Sequence, residues 1–252
     1  MITTTSATAQ GNRTYQEDRI VIAKVPFGTL LAVADGHGGS ETSHHLADIL
    51  ASTWTGLYTK WAGDPVEMFL KKVFVDLDAE TRFRDAGSTL SVVFVDEIGS
   101  KAAVAVLGDS PVIIRQTRVP DPHKTWVSPE HNVRTNMVER AAVQQRGGFC
   151  SGGYCFAHYS EKGLQMTRAF GDIELGGILS REPEIFVHEL NKPACILVAS
   201  DGLIDPTHVN GELNYETIVD MLDAGAEAKE LVSRAVKMQT NDNASAIVWR
   251  NK

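Results

Sequence analysis

The chain is predicted to adopt an α/β fold, a β-sandwich with α-helices packed outside it, and three observations carry that expectation. Short β-rich runs recur along the chain, many separated by tight turns of the kind that join antiparallel neighbours. Several of these runs are apolar on both faces, so each needs a covering layer on either side. Between the sets of strands lie segments whose apolar residues repeat at helical spacing. With 252 residues, 43% of them hydrophobic and 22% charged, the chain has ample material for a sizeable core. No low-complexity linker or internal repeat divides it, so one domain over residues 1–252 is expected.

In chain order, strands are expected at 19–25 and 29–34, joined through Pro26-Phe27-Gly28. A helix follows on Leu46, Ile49, Leu50 and Trp54. Asp64-Pro65 reads as a cap followed by proline at the first helical position, opening a second helix on Val66, Phe69, Leu70, Val73, Phe74 and Leu77. Strands at 88–95 and 102–107 flank the turn Glu97-Ile98-Gly99, and further strands are expected at 111–117, 164–167, 184–189 and 195–200. Ile218, Met221 and Leu222 mark a helix ending at Gly225; Leu231, Val232, Ala235 and Val236 mark another, before a last strand at 245–250. These stripes read as core faces.

Composition narrows the function classes. A net charge of −8 argues against a nucleic-acid or anionic-membrane partner, which would select for basic patches. No apolar run approaches the length that spans a bilayer. Met1-Ile2-Thr3-Thr4-Thr5-Ser6 has neither the basic start nor the apolar core of a signal peptide, so a cytoplasmic location is expected. Three cysteines are unlike a disulfide framework. Cys150, Cys155 and His158 lie close together, but a closed zinc site takes four ligands, so they read as loop or core thiols.

The most informative pattern is a strand-like run that meets an aspartate beside a glycine or asparagine. It occurs at Asp35-Gly36, Gly108-Asp109, Asp201-Gly202 and, at a strand start, Asp242-Asn243. One Asp-Gly is usually only a turn. Four in one chain point to a site, because buried strands deliver their ends to fixed places. Two bare carboxylates about 4 Å apart repel by roughly 4 kcal/mol at an effective dielectric near 20. A cluster of them needs cations, and hard oxygen ligands suit Mg²⁺ or Mn²⁺. Nearby, Arg13 offers a planar fork for phosphate, and Glu17 and Asp18 can hold a metal or its waters. The Gly36 carbonyl can itself bind a metal. His37, next to a metal carboxylate, is placed to donate a proton to a leaving oxygen. Gly87-Ser88-Thr89 and Gly108-Asp109-Ser110 suit tight hairpins, and Asp109 is the candidate ligand among them.

In order along the chain, these motifs resemble the metal-dependent protein phosphatase (PPM) family, the type 2C protein serine/threonine phosphatases. The resemblance also takes in Glu139-Arg140 ahead of Gly147-Gly148, Thr167-Arg168-Ala169-Phe170-Gly171-Asp172, Glu182-Pro183-Glu184 and Ser200-Asp201-Gly202-Leu203-Ile204-Asp205. It implies a central antiparallel β-sandwich flanked by helices on both sides, four layers in the order α-β-β-α. It further implies two Mn²⁺ or Mg²⁺ ions bridged by Asp35. One would add Asp201 and Asp242, the other Glu17 and the Gly36 carbonyl. Asp109 with Asp201 matches a third-metal position seen in some members. Asp18 would hold the attacking water, Arg13 would grip the phosphate, and His37 would be the general acid. The implied reaction is direct hydrolysis of phosphoserine or phosphothreonine in a protein substrate, with no phosphoenzyme, by a monomer.

Departures are few. Pro111 stands where relatives often carry a basic residue, Thr167 where serine is common, and Glu130-His131 only partly matches an expected Asp-His. Asn241 replaces the usual serine or charged residue before Asp242. Rival readings are a silent binding module, which the retained Arg13, Glu17, Asp35, His37, Asp201 and Asp242 count against, and another two-metal hydrolase. A nuclease is disfavoured by the acidic charge. A thiol phosphatase is disfavoured because no cysteine is followed by arginine at the sixth position.

Overall fold

A computed structural model describes residues 1–61, 63–118, 120, 124–206 and 211–251. Its strands are β1 (Ile2–Ala9), β2 (Arg19–Val25), β3 (Gly28–Ala34), β4 (Leu90–Asp96), β5 (Lys101–Leu107), β6 (Val112–Gln116), β7 (Thr125–Val127), β8 (Glu184–Glu189), β9 (Ala194–Ala199) and β10 (Ala244–Asn251), beside several two- and three-residue pairings. The helices are α1 (Glu41–Trp61), α2 (Val66–Thr81), α3 (Met137–Gln145), α4 (Asp201–Ile204), α5 (Gly211–Asp223) and α6 (Ala228–Lys237). Among the described residues, two five-stranded antiparallel sheets stand in the orders β1-β10-β9-β6-β7 and β8-β5-β4-β3-β2. Among these residues, no helix is long and apolar enough to cross a membrane.

The two-residue period of a strand explains why the central runs read as continuously apolar. In β3, Leu31 and Val33 face the other sheet, while Leu30, Ala32 and Ala34 face α1 and α2. In β9, Ile196 and Val198 point between the sheets, and Cys195, Leu197 and Ala199 pack under α5 and α6. The layers are therefore helix, sheet, sheet, helix, as expected. Outside them, α3 and the loops around Val133, Cys155 and Leu175 form a smaller core of their own.

Several local expectations are corrected. The strand β1 is absent from the predicted runs, yet it pairs along its whole length with β10, from Ile2 opposite Asn251 to Ala9 opposite Ala244. Its Thr-Ala alternation offers too little contrast in hydrophobicity to be read as a half-buried strand. Asp64 does not cap α2; its carboxylate pairs with Lys72, and Pro65 itself holds the N-cap position. The short helix α3 is also missing from the predicted set, although Asn136 caps it by accepting from the Val138 and Glu139 amides at 3.1 and 3.2 Å. Val236 is 46% exposed, so the buried face of α6 is Ala228, Leu231, Val232 and Ala235. Of the run expected at 164–167 only Leu164 is strand, as the end of the two-residue Gly163–Leu164. Cys150 faces Cys155 across a hairpin and both pack in the smaller core, while the His158 ring lies 5.1 Å from that of Phe149. These are core thiols.

Trp54 anchors the helix layer over the second sheet, its ring centroid 4.7 Å from Phe69 and 4.8 Å from Phe94. Replacing this 1%-exposed side chain in Trp54→Ala leaves a large void. Denaturant unfolding should show a loss of about 3–5 kcal/mol; a loss below about 1 kcal/mol would mean this layer does not carry the packing assigned to it.

Candidate active site

Strand parity brings the four aspartates to one end of the sandwich. β3 and β5 are both antiparallel to β4, so their C-terminal ends coincide, delivering Asp35 and Asp109 together. In the other sheet β9 and β10 are antiparallel neighbours with Ala199 opposite Ala246. That register sets Asp201, just past the end of β9, beside Asp242, just before the start of β10. A cleft of about 350 Å³ opens there, and Arg13, Asp35, Gly36, His37, Asp109, Asp201 and Asp242 all line it. Tyr154, Leu164, Gln165 and Met166 complete its wall.

Backbone and side-chain hydrogen bonds hold this arrangement. The Thr89 amide donates to the Asp35 carbonyl at 2.9 Å and the Ser88 hydroxyl to the same oxygen at 3.1 Å. The Thr89 and Ser110 hydroxyls meet at 2.7 Å. The two hairpin motifs thus tie the Asp35 and Asp109 turns to each other. Asn243 fastens the N-terminal loop: its side-chain amide donates to the Gln10 and Tyr15 carbonyls, and its oxygen accepts from the Glu17 amide at 2.8 Å. Gly36 lies so close to that loop that a Cβ would stand 2.7 Å from the Ser43 hydroxyl and 2.8 Å from the Glu17 carbonyl.

The electrostatics are those of crowded carboxylates. Burial, then the charges of Asp18, Asp201, Asp242 and Asp109, holds Asp35 well above the usual carboxylate range. Burial, with Asp109, Asp242 and Asp18, does the same to Asp201. Burial pushes Asp18 from 3.8 up to about 6; hydrogen bonds from Ser245 and Ser200 oppose this and the Asp242 charge adds to it. Asp109 is raised by burial against a hydrogen bond from Asn132 at 2.8 Å. Its other oxygen, Oδ1, is buried with no hydrogen-bond partner among the described residues. An orphaned carboxylate oxygen amid aspartates that resist ionisation fits a divalent cation with hard oxygen ligands.

Not every predicted residue stands at the cleft surface. Glu17 is 3% exposed, and its carboxylate accepts from the Gly39 amide at 2.6 Å. Asp18 lies behind Asp35 and Asp201, accepting from the Ser200 hydroxyl at 2.8 Å. Arg13 donates to Asp242 at 2.6 Å and to the Asn241 carbonyl at 2.9 Å. The aspartates meet more loosely than one ion's inner shell requires. Among the described residues, the trio of ligand atoms mutually within 4.8 Å is instead His131, Glu139 and Glu184. That trio already holds a cation, because the Arg168 guanidinium lies 2.5 Å from Glu139 and 3.0 Å from Glu184. Burial and Arg168 push His131 down to about 4 and keep it neutral. We read it as an ion-pair network that braces the loop after Thr167, not as a metal seat.

Two contributors escaped the sequence reading of single residues. Asn132 holds Asp109, and nothing in the local sequence signals it. Asp172 bonds to His37 Nε2 at 2.7 Å; it ends a motif noted in the sequence, but no role was attached to it.

Comparison with known proteins matches the family model described as protein phosphatase 2C to residues 6–244. The chain belongs to the protein phosphatase 2C family. It is 30% identical over 245 residues to "Probable protein phosphatase 2C 11" of Arabidopsis thaliana, covering 94% of this chain and 62% of that one. The chain thus spans less than two thirds of that relative's length. Its fold is similar to that of a serine-threonine phosphatase 2C from Toxoplasma gondii (TM-score 0.78, 19% identity, 99% of this chain and 94% of that one). It is also similar to the catalytic domain of the serine threonine protein phosphatase PstP in complex with two manganese ions (TM-score 0.59, 18% identity, 99% and 97%).

A group whose pKa is higher in the folded than in the unfolded protein binds its proton more tightly when folded. Its stabilising effect is therefore present below the unfolded value and lost as pH rises through the folded one. For Asp18 that window runs from 3.8 to about 6. Thermal unfolding in chelator should show the carboxylate cluster becoming more destabilising across it. The gain in melting temperature on adding Mn²⁺ should grow over the same range, since the ion replaces the protons. A gain independent of pH would contradict this.

Proposed function

We propose that the chain is a metal-dependent protein serine/threonine phosphatase acting as one catalytic domain on phosphoserine and phosphothreonine, with two Mn²⁺ or Mg²⁺ ions and no phosphoenzyme. The observation that carries the proposal is the set of mutually repelling aspartates facing one cleft beside an arginine. Family membership and the likeness to a fold that binds two manganese ions in a relative support it. Asp35, Asp201 and Asp242 would hold one ion; Asp35, Glu17 and the Gly36 carbonyl would hold the other. Asp109, through its orphaned oxygen, and Asp201 suit a third. Bound there, the ions supply an activated water at neutral pH and neutralise charge on the transferring phosphoryl group.

The chain's own groups do the rest. Arg13 lines the cleft with Nε held by the Asn241 carbonyl and Nη2 by Asp242, which leaves Nη1 to donate to a phosphate oxygen. Asp18, steadied by Ser200, orients the attacking water. As water oxygen bonds to phosphorus, the bond from phosphorus to the serine or threonine oxygen breaks, and His37 gives that oxygen its proton. Tyr154, Leu164 and Met166 supply the aromatic and aliphatic wall against which the substrate would lie.

Phosphate release from a phosphoserine peptide should require added Mn²⁺ or Mg²⁺ and should drop to background in Asp35→Asn and Asp201→Asn. Equal turnover in chelator, or wild-type rates in either variant, would contradict the two-metal reading.

A further inference from the structure

The bond between His37 and Asp172 is the meeting point of three separate motifs. Gly36–His37 pairs with Gly87–Ser88, which pairs in turn with Phe170–Gly171. Gly87 is therefore the middle rung, with His37 on one side and Gly171 on the other. A Cβ built on Gly87 would stand 2.0 Å from Asp172 Oδ2 and 2.1 Å from His37 Nε2. The hydrogen bond runs directly over the glycine, and no larger residue leaves room for it.

The backbone of Asp172 is itself unusual. It adopts φ 50° and ψ 53°, the left-handed region that a non-glycine residue enters only against its own Cβ. Its loop is clamped by Arg181, whose guanidinium donates to the Ala169 and Gly171 carbonyls. Asp172 is 7% exposed, and the clamped, left-handed turn aims its carboxylate at one nitrogen. Because an ionised carboxylate only accepts, Nε2 of His37 must carry a hydrogen whether the ring is neutral or protonated. Its Nδ1 is buried and has no partner among the described residues.

We propose that Asp172 is a positioning residue for His37: it accepts the Nε2 hydrogen and fixes the ring, so that in the protonated imidazolium the Nδ1 hydrogen is the one given to the leaving oxygen, and the Nε2–H form is what remains. This rests on the general-acid reading of His37 given above. Without Asp172 the ring is free to rotate, and its neutral form is free to place the hydrogen on either nitrogen, so only a fraction of molecules present the productive edge. Gly87 is the residue that makes room for the arrangement.

The test uses the full chain and two variants that reach the bond from different sides. Asp172→Asn keeps the size of the side chain and its tolerance of left-handed backbone. Gly87→Ala leaves both partners in place and crowds the bond between them. Nitrogen-15 spectra of labelled histidine, taken where the ring is neutral, should show the Nε2–H tautomer of His37 in the wild type and a mixture in both variants. With manganese, both variants should lose roughly 10²-fold on a phosphoserine peptide and clearly less on an activated aryl phosphate, following His37→Ala. A wild-type tautomer and an unchanged substrate ratio in Asp172→Asn, beside an altered ratio in His37→Ala, would overturn the role of Asp172 alone. An unchanged ratio in His37→Ala would overturn the general-acid reading itself, and the proposal with it.

Discussion

Buried carboxylates gathered at one cleft cannot all keep their charge unless something positive joins them. Asp18, Asp35, Asp109 and Asp201 are each displaced upward by burial, and for most of them the neighbouring aspartates add to the displacement. That repulsion is a cost built into the folded chain, and the rest of the molecule is arranged to sustain it. Arg13 offsets part of it by holding Asp242. In the proposed function the remainder is what a bound divalent ion would relieve, because a site that destabilises the protein when bare gains most when filled.

The sandwich is what makes such a cluster sustainable. Strands apolar on both faces are locked between two layers, so the turns at their ends have little freedom to spread apart. Thr89, Ser110 and Asn243 then fasten those turns to one another rather than to solvent. The same design appears at the cleft's edge, where Arg168 neutralises Glu139 and Glu184 within the protein. Two acidic clusters in one molecule thus differ: one carries its own arginine as counter-ion, while the other keeps carboxylates that burial and mutual repulsion hold above their usual range.

Much of this was readable before any coordinates. The central strands announced themselves because burial on both faces demands unbroken Val, Ile, Leu and Ala. The site announced itself because aspartate at a strand end is costly enough to be conspicuous four times over. What stayed hidden was of two kinds. The strand β1 is polar and half-exposed, so it depends on its partner β10 for identity, and α3 is too short for periodicity to register. Asn132 and Asp172 act on residues far away in the chain, Asp109 and His37, and a contact across such a separation leaves no local mark. Asp64 was misjudged for a related reason: its choice between capping a helix and pairing with Lys72 is settled by geometry, not by residue type.

In the proposed site Asp35 would join two ions held by otherwise separate sets of ligands. Calorimetric titration with Mn²⁺ addresses it without reference to catalysis. If Asp35 is shared, Asp35→Asn should lose both tight ions, whereas Asp242→Asn and Glu17→Gln should each lose one and keep the other. Full stoichiometry and affinity in Asp35→Asn would show that the aspartates neighbour one another without jointly holding a metal pair.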